Sequence, residues 1–116
     1  MGHAINHFEV NAKDAKKQQD FYGKAFGWTI DTNNPGGYGM AETGANGHGI
    51  SAGIGTSPDG KTGTRVYIDT EDLEGTLKKI EALGGKTVLA PMQQGPVTIA
   101  LFADPEGNVV GLAKGM

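Results

Sequence analysis

No cysteine occurs anywhere in the chain. That absence excludes disulfides, thiolate metal sites and a cysteine nucleophile, and it agrees with a reducing, cytoplasmic setting. Basic residues are scarce as well: 10 Lys and Arg against 13 Asp and Glu leave a net charge of −3. No basic cluster is interleaved with aromatics, so the electrostatic footprint of a nucleic-acid binder is missing. No run approaches the roughly 20 apolar residues of a membrane span. The opening Met1-Gly2-His3-Ala4-Ile5-Asn6-His7 has no basic region followed by an apolar stretch, as an export signal would. The expectation is an unexported, soluble protein with neither nucleic acid nor membrane as partner.

Glycine is what the chain has in excess, 20 of 116 residues against a usual share of about 7%. Many turns and bare strand positions follow. With 37% hydrophobic and 20% charged residues, the remainder is an ordinary globular composition, sized for a single domain with one core.

Ile5 to Val10 alternates, with Phe8 and Val10 on one face and His7 and Glu9 on the other, as in a strand covered on one side. Asp14 then opens a helical stretch to residue 26, where Ala15, Gln18, Gln19, Tyr22 and Phe26 recur at helical spacing before Gly27. Short strands are expected at 28–30, 38–43 and 50–55, with the turn Asn33-Asn34-Pro35-Gly36-Gly37 between the first two. After Pro58-Asp59-Gly60-Lys61 the order begins again. A strand over 65–69 leads into a helix from Asp72 with Leu73, Leu77, Ile80 and Leu83 inward, then strands at 88–89, 97–103 and 108–113, with Gln93-Gln94-Gly95-Pro96 as a turn. At an offset of 58 residues the copies align without gaps: Asp14 lies over Asp72, Gly27 over Gly85, Gly49 over Gly107 and Gly53 over Gly111. The fold class is α+β, with tandem βαβββ modules at about 4–56 and 64–114 within one domain, 1–116.

Two apparent motifs lack their context. Gly55 to Thr62 matches a phosphate loop, but β-branched residues rather than a helix follow it. Gly49-Ile50-Ser51-Ala52-Gly53 matches a nucleophile elbow, yet its flanks read as one continuous strand. His3 and His7 lie about 13 Å apart along a strand, too far to share an ion, and His48 reads as a solvated loop residue.

His7-Phe8-Glu9-Val10, Phe21-Tyr22, Phe26-Gly27-Trp28, Tyr67-Ile68-Asp69-Thr70-Glu71-Asp72-Leu73 and Phe102-Ala103-Asp104-Pro105-Glu106-Gly107-Asn108 together resemble the vicinal oxygen chelate superfamily. That group includes glyoxalase I, bleomycin-resistance proteins and extradiol dioxygenases. The resemblance implies curved sheets around a cleft, commonly in a homodimer. It also implies, for metalloenzymes of the group, ligands on the first and last strands of each module. Those places fall here on His7, Arg65, Gly53 and Gly111. Arginine keeps its proton and glycine has no side chain, so only His7 could hold a metal, and the expectation is no metal and no cofactor.

By strand parity His7, Glu9, Arg65, Tyr67 and Asp69 share the face away from the helices. Arg65 could pair with Glu9 or present its donors to an anionic or carbonyl-rich ligand. Two functions stay open. In the first the protein binds a small molecule without transforming it, with Gly53 and Gly111 widening the cleft floor and Trp28 or Tyr38 as stacking surface. In the second it resembles a lactoylglutathione lyase, with Glu9 or His7 abstracting a proton next to a carbonyl and any metal held by His7 with Glu9 or Glu42. Arg65 beside Glu9 would oppose the latter's role as base, because a cation favours the carboxylate.

Overall fold

The computed structural model describes residues 2–44, 48–57 and 60–115. Its elements run β1 (Ile5–Ala12), α1 (Ala15–Phe26), β2 (Ile30–Asp31), β3 (Gly39–Glu42), β4 (Ser51–Thr56), β5 (Gly63–Asp69), α2 (Leu73–Ala82), β6 (Lys86–Gln94), β7 (Val97–Ala103) and β8 (Val109–Lys114). This is βαβββ, twice. Two compact units divide the chain, one of residues 7–65 and one of residues 1–6 with 66–116.

In the first unit the strands lie in the order β2-β3-β4-β1, with β1 and β4 parallel. Asp14 caps α1 by accepting from Lys17 N–H, and Gly27, in the left-handed region at φ 74°, closes it with a bond to Gly23 O. Both ends follow from residue type, since a short acceptor satisfies the first turn and glycine alone turns there without strain. The helix is pinned by a polar residue, buried Gln19, whose Nε2 donates to Ile54 O at 2.9 Å and to Gly37 O at 3.1 Å. Near the C-terminus of α1, Trp28 stacks on Tyr22 (5.9 Å between centroids, 8° between planes) and meets Phe8 edge-on at 6.2 Å.

In the second unit the order is β5-β8-β7-β6, with β5 and β8 parallel. Asp72 caps α2 by accepting from Gly75 N–H. Leu73 and Leu77 bury against Ala100 and Leu112, with Ile68, Ile80 and Phe102 beside them. The other face of this sheet holds a second apolar cluster of Tyr67, Ile99, Leu101 and Ala113.

The repeat survives in the parallel pairs. Glu9 faces Gly53 and Tyr67 faces Gly111, the same register displaced by 58 at both positions. Strand β6 departs from expectation. It runs through Pro91 to Gln94, and only Gly95 and Pro96 form the turn. Proline is tolerated because β6 ends the strand order of its unit, where a missing N–H leaves no partner unsatisfied. Trp28 and Thr29 are not in a strand; the Tyr22 stack holds Trp28 and β2 starts at Ile30. Pro58 and Asp59 of the expected inter-module turn lie outside the described residues, and the strand that follows them, β5, confirms that no helix succeeds the phosphate-loop pattern.

Candidate functional site

The face of the 7–65 unit opposite Phe8 carries His7, Glu9 and Asn11 from β1, Ser51, Gly53 and Gly55 from β4, Tyr38 just before β3, and Arg65. The first two and the glycines are there by strand alternation. Tyr38 is fixed by the turn before it: Asn34 Oδ1 accepts from Tyr38 N–H at 2.9 Å, while Asn34 Nδ2 donates to Tyr38 O at 2.6 Å.

The Tyr38 ring lies across the two glycines. A Cβ on Gly53 would overlap Tyr38 Oη and Cζ, and one on Gly55 would overlap Cδ1 and stand 2.9 Å from Cε1. The phenol group therefore occupies the volume that side chains at 53 and 55 would need. Gly111 is covered likewise by the ring of Tyr67, whose Cγ would be 2.9 Å from an added Cβ. The volume over the glycines expected to widen a cleft floor is taken by these rings. Each glycine supplies room for a tyrosine of its own unit.

A chain of hydrogen bonds crosses this face. Tyr38 Oη donates to Glu9 Oε2 at 3.0 Å, and His7 Nε2 lies 3.1 Å from Tyr38 Oη. The phenol has one proton and gives it to Glu9, so His7 Nε2 carries a hydrogen and donates to Oη. His7 Nδ1 is then the acceptor, and it receives the Ser51 hydroxyl at 2.7 Å. Glu9 Oε1 meets Arg65 Nη1 at 3.9 Å, with the two side chains 12% and 9% exposed. Desolvation lowers the His7 pKa below its ordinary 6.5, which agrees with a neutral ring. Asn11, 5% exposed, has its Oδ1 buried without a hydrogen-bond partner among the described residues.

His7, Glu9 and Arg65, which the parity argument puts on one face, come together here with Tyr38 and Gly53. Trp28 does not join them. It stands in the aromatic stack with Phe8 and Tyr22 on the α1 side of the sheet, so it offers no stacking surface here. Tyr67 and Gly111 belong to the other unit, where Tyr67 is 1% exposed in an apolar cluster. Ser51 and Asn11 went unnoticed as members of the site. The signal was present for both, since Ser51 pairs with His7 across β1 and β4 and Asn11 continues the 7, 9 alternation.

The donor set does not fit a resident metal. His7 uses both ring nitrogens for protein hydrogen bonds, Arg65 is a cation, and Gly53 has no ligand. Among the described residues no group of three or more His, Asp or Glu is placed to hold an ion.

Paired βαβββ units with a parallel first and last strand define the class, a doubled α+β protein with one polar sheet face. The chain belongs to the Glyoxalase/Bleomycin resistance protein/Dioxygenase superfamily, whose sequence profile it matches over residues 4–112. It is 29% identical over 117 aligned positions to the anthracycline biosynthesis protein DnrV of Streptomyces peucetius and to DauV of Streptomyces sp. (strain C5), covering 86% of this chain. It spans only 42% of the length of those relatives. Its fold is shared with a structure described as an NAD-dependent benzaldehyde dehydrogenase from Legionella pneumophila (TM-score 0.72, 12% identity, 96% of this chain and 99% of that one). A Streptomyces coelicolor methylmalonyl-CoA epimerase is also similar (TM-score 0.63, 16% identity, 96% of each chain). No helix among the described residues is long and apolar enough to cross a membrane.

Proposed function

We propose that this chain binds a small planar molecule bearing carbonyl and hydroxyl groups on the polar face of residues 7–65, without a metal and without transforming it. One observation carries the reading: His7, the lone retained ligand position, has both ring nitrogens committed to Ser51 and Tyr38. What remains on that face is a set of neutral and paired hydrogen-bonding groups suited to orienting polar substituents of a flat ligand. The similarity to two proteins named for anthracycline biosynthesis supports an aromatic, quinone-type ligand class. A homodimer and a cytoplasmic location belong to the same proposal. They rest on the family resemblance and on the lack of cysteine.

Metal analysis of protein purified without added metal, followed by thermal-shift measurements, tests this. Hydroxyanthraquinones raise the melting temperature saturably, while zinc, nickel and manganese leave it unchanged. Stoichiometric metal in the purified protein would contradict the reading.

A second reading, proton abstraction next to a carbonyl, is favoured by the chain His7–Tyr38–Glu9, in which a neutral imidazole is coupled to a carboxylate through a phenol. Deuterium exchange at the carbon next to the carbonyl of a methylglyoxal–thiol adduct decides between them. The binding reading expects exchange at the rate of buffer alone; enzyme-dependent exchange abolished by His7→Gln or Glu9→Gln would establish the second.

A further inference from the structure

Tyr38 behaves as a ligand of its own protein. Its ring lies on a bed made by two glycines, and its hydroxyl sits between a donor, His7 Nε2 at 3.1 Å, and an acceptor, Glu9 Oε2 at 3.0 Å. That is a complete recognition site for a phenol: a flat floor without side chains, and a donor and an acceptor on one oxygen. The ring reaches the bed from a chain segment clasped by the side chain of exposed Asn34 and held at Gly37 O by Gln19. Beyond the ring, Asn11 pairs with Gly55 across β1 and β4 and shares the face of His7 and Glu9. Its Oδ1 is a buried acceptor with no donor among the described residues, and leaving such a group unmet is costly. Tyr38 carries no second donor to give it.

We propose that the Gly53–Gly55 bed is a phenol subsite, and that Tyr38 is displaced from it by a polycyclic phenol whose second hydroxyl reaches Asn11. The ligand's first hydroxyl takes over both bonds of Tyr38 Oη. Its ring system replaces the tyrosine ring on the glycines, and its second hydroxyl donates to Asn11 Oδ1. Two residues of strand separate Glu9 from Asn11, about 6.6 Å, the scale of hydroxyls on opposite sides of one aromatic ring. This deepens the binding reading above and rests on it for the wild-type ligand.

The test uses 4-methylphenol, the tyrosine side chain as a free molecule, and 1,4-dihydroxyanthraquinone. In Tyr38→Ala, 4-methylphenol raises the melting temperature saturably and toluene at equal concentration does not, since toluene lacks the hydroxyl that His7 and Glu9 require. The anthraquinone binds Tyr38→Ala about tenfold or more tightly than wild type, because an occupant that must leave reduces the apparent affinity. Tyr38→Phe keeps the ring but not the hydroxyl and serves if the alanine variant fails to fold. It too binds the anthraquinone more tightly than wild type.

Where wild type binds the anthraquinone, equal or weaker binding by both variants overturns the proposal, because the ligand then lies elsewhere or stacks on Tyr38; the metal-free binding reading survives that result. Stabilisation of Tyr38→Ala by 4-methylphenol without any anthraquinone binding supports the phenol subsite and removes the quinone class from the earlier reading. No effect of 4-methylphenol on folded Tyr38→Ala overturns the subsite outright.

Discussion

Tyr38 and Gly53 share one volume, so changing either is felt by the other. Gly53→Ala puts a methyl group into the phenol oxygen and must push the ring off the bed. Overpacking of this kind costs about 1–3 kcal/mol, and urea unfolding of the variant should show a loss in that range. Gly2→Ala, where nothing lies within 4 Å, is the matched control and should lose no comparable stability. His7 gives a pH signature. Burial lowers its pKa from 6.5, so below that value the unfolded chain takes up a proton that the folded chain resists. The stability from neutral His7 is therefore full above about pH 6.5 and is lost as pH falls through the lowered folded value, at up to about 1.4 kcal/mol per pH unit. The melting temperature of wild type should drop between pH 7 and pH 5.5, and His7→Gln should flatten that slope. A slope unchanged by the substitution would show that His7 is not the group responsible. The sequence made His7, Glu9, Gly53 and Arg65 legible as neighbours, because alternation fixes which side of a strand a residue faces. It could not reveal what fills the space over Gly53. That depends on β3 lying antiparallel to β4 and on Asn34 clasping Tyr38, neither of which leaves a periodic trace.

At the scale of elements, helix starts were readable to the residue and strand ends were not. Asp14 and Asp72 sit 58 apart and each caps its helix, because a capping side chain acts on its own next turn and needs no tertiary context. Asp72→Ala should cost about 1 kcal/mol by chemical denaturation. Leu77→Ala, in the cluster under α2, should cost about 2–5 kcal/mol. A smaller loss at Leu77 than at Asp72 would show that the α2 cluster contributes little. Strand β6 spans nine residues where the sequence pattern marks only two, since Pro91 looks like an ending unless the strand is known to lie at the end of its order. The sequence leaves the side of Trp28 open, because an aromatic beside a strand has no intrinsic side. Its partners Tyr22 and Phe8 decide the matter.

Across the whole molecule, the same βαβββ plan carries two different chemistries. The face of the 7–65 unit away from α1 is polar, with His7, Glu9, Asn11 and Ser51. The corresponding face of the other unit is an apolar cluster around Tyr67 and Ile99. In both, the glycine opposite the third residue of the strand-one pattern, Gly53 or Gly111, lies under a tyrosine. Of the positions where the resemblance would place metal ligands, His7 stands in a hydrogen-bond relay, Arg65 pairs with Glu9, and Gly53 and Gly111 lie under tyrosines. The central claim, metal-independent binding on the polar face, meets its most direct test in calorimetric titration of 1,4-dihydroxyanthraquinone into chelator-treated protein, with and without added zinc. The account predicts saturable binding of equal affinity in both. Binding that appears only with zinc would contradict it.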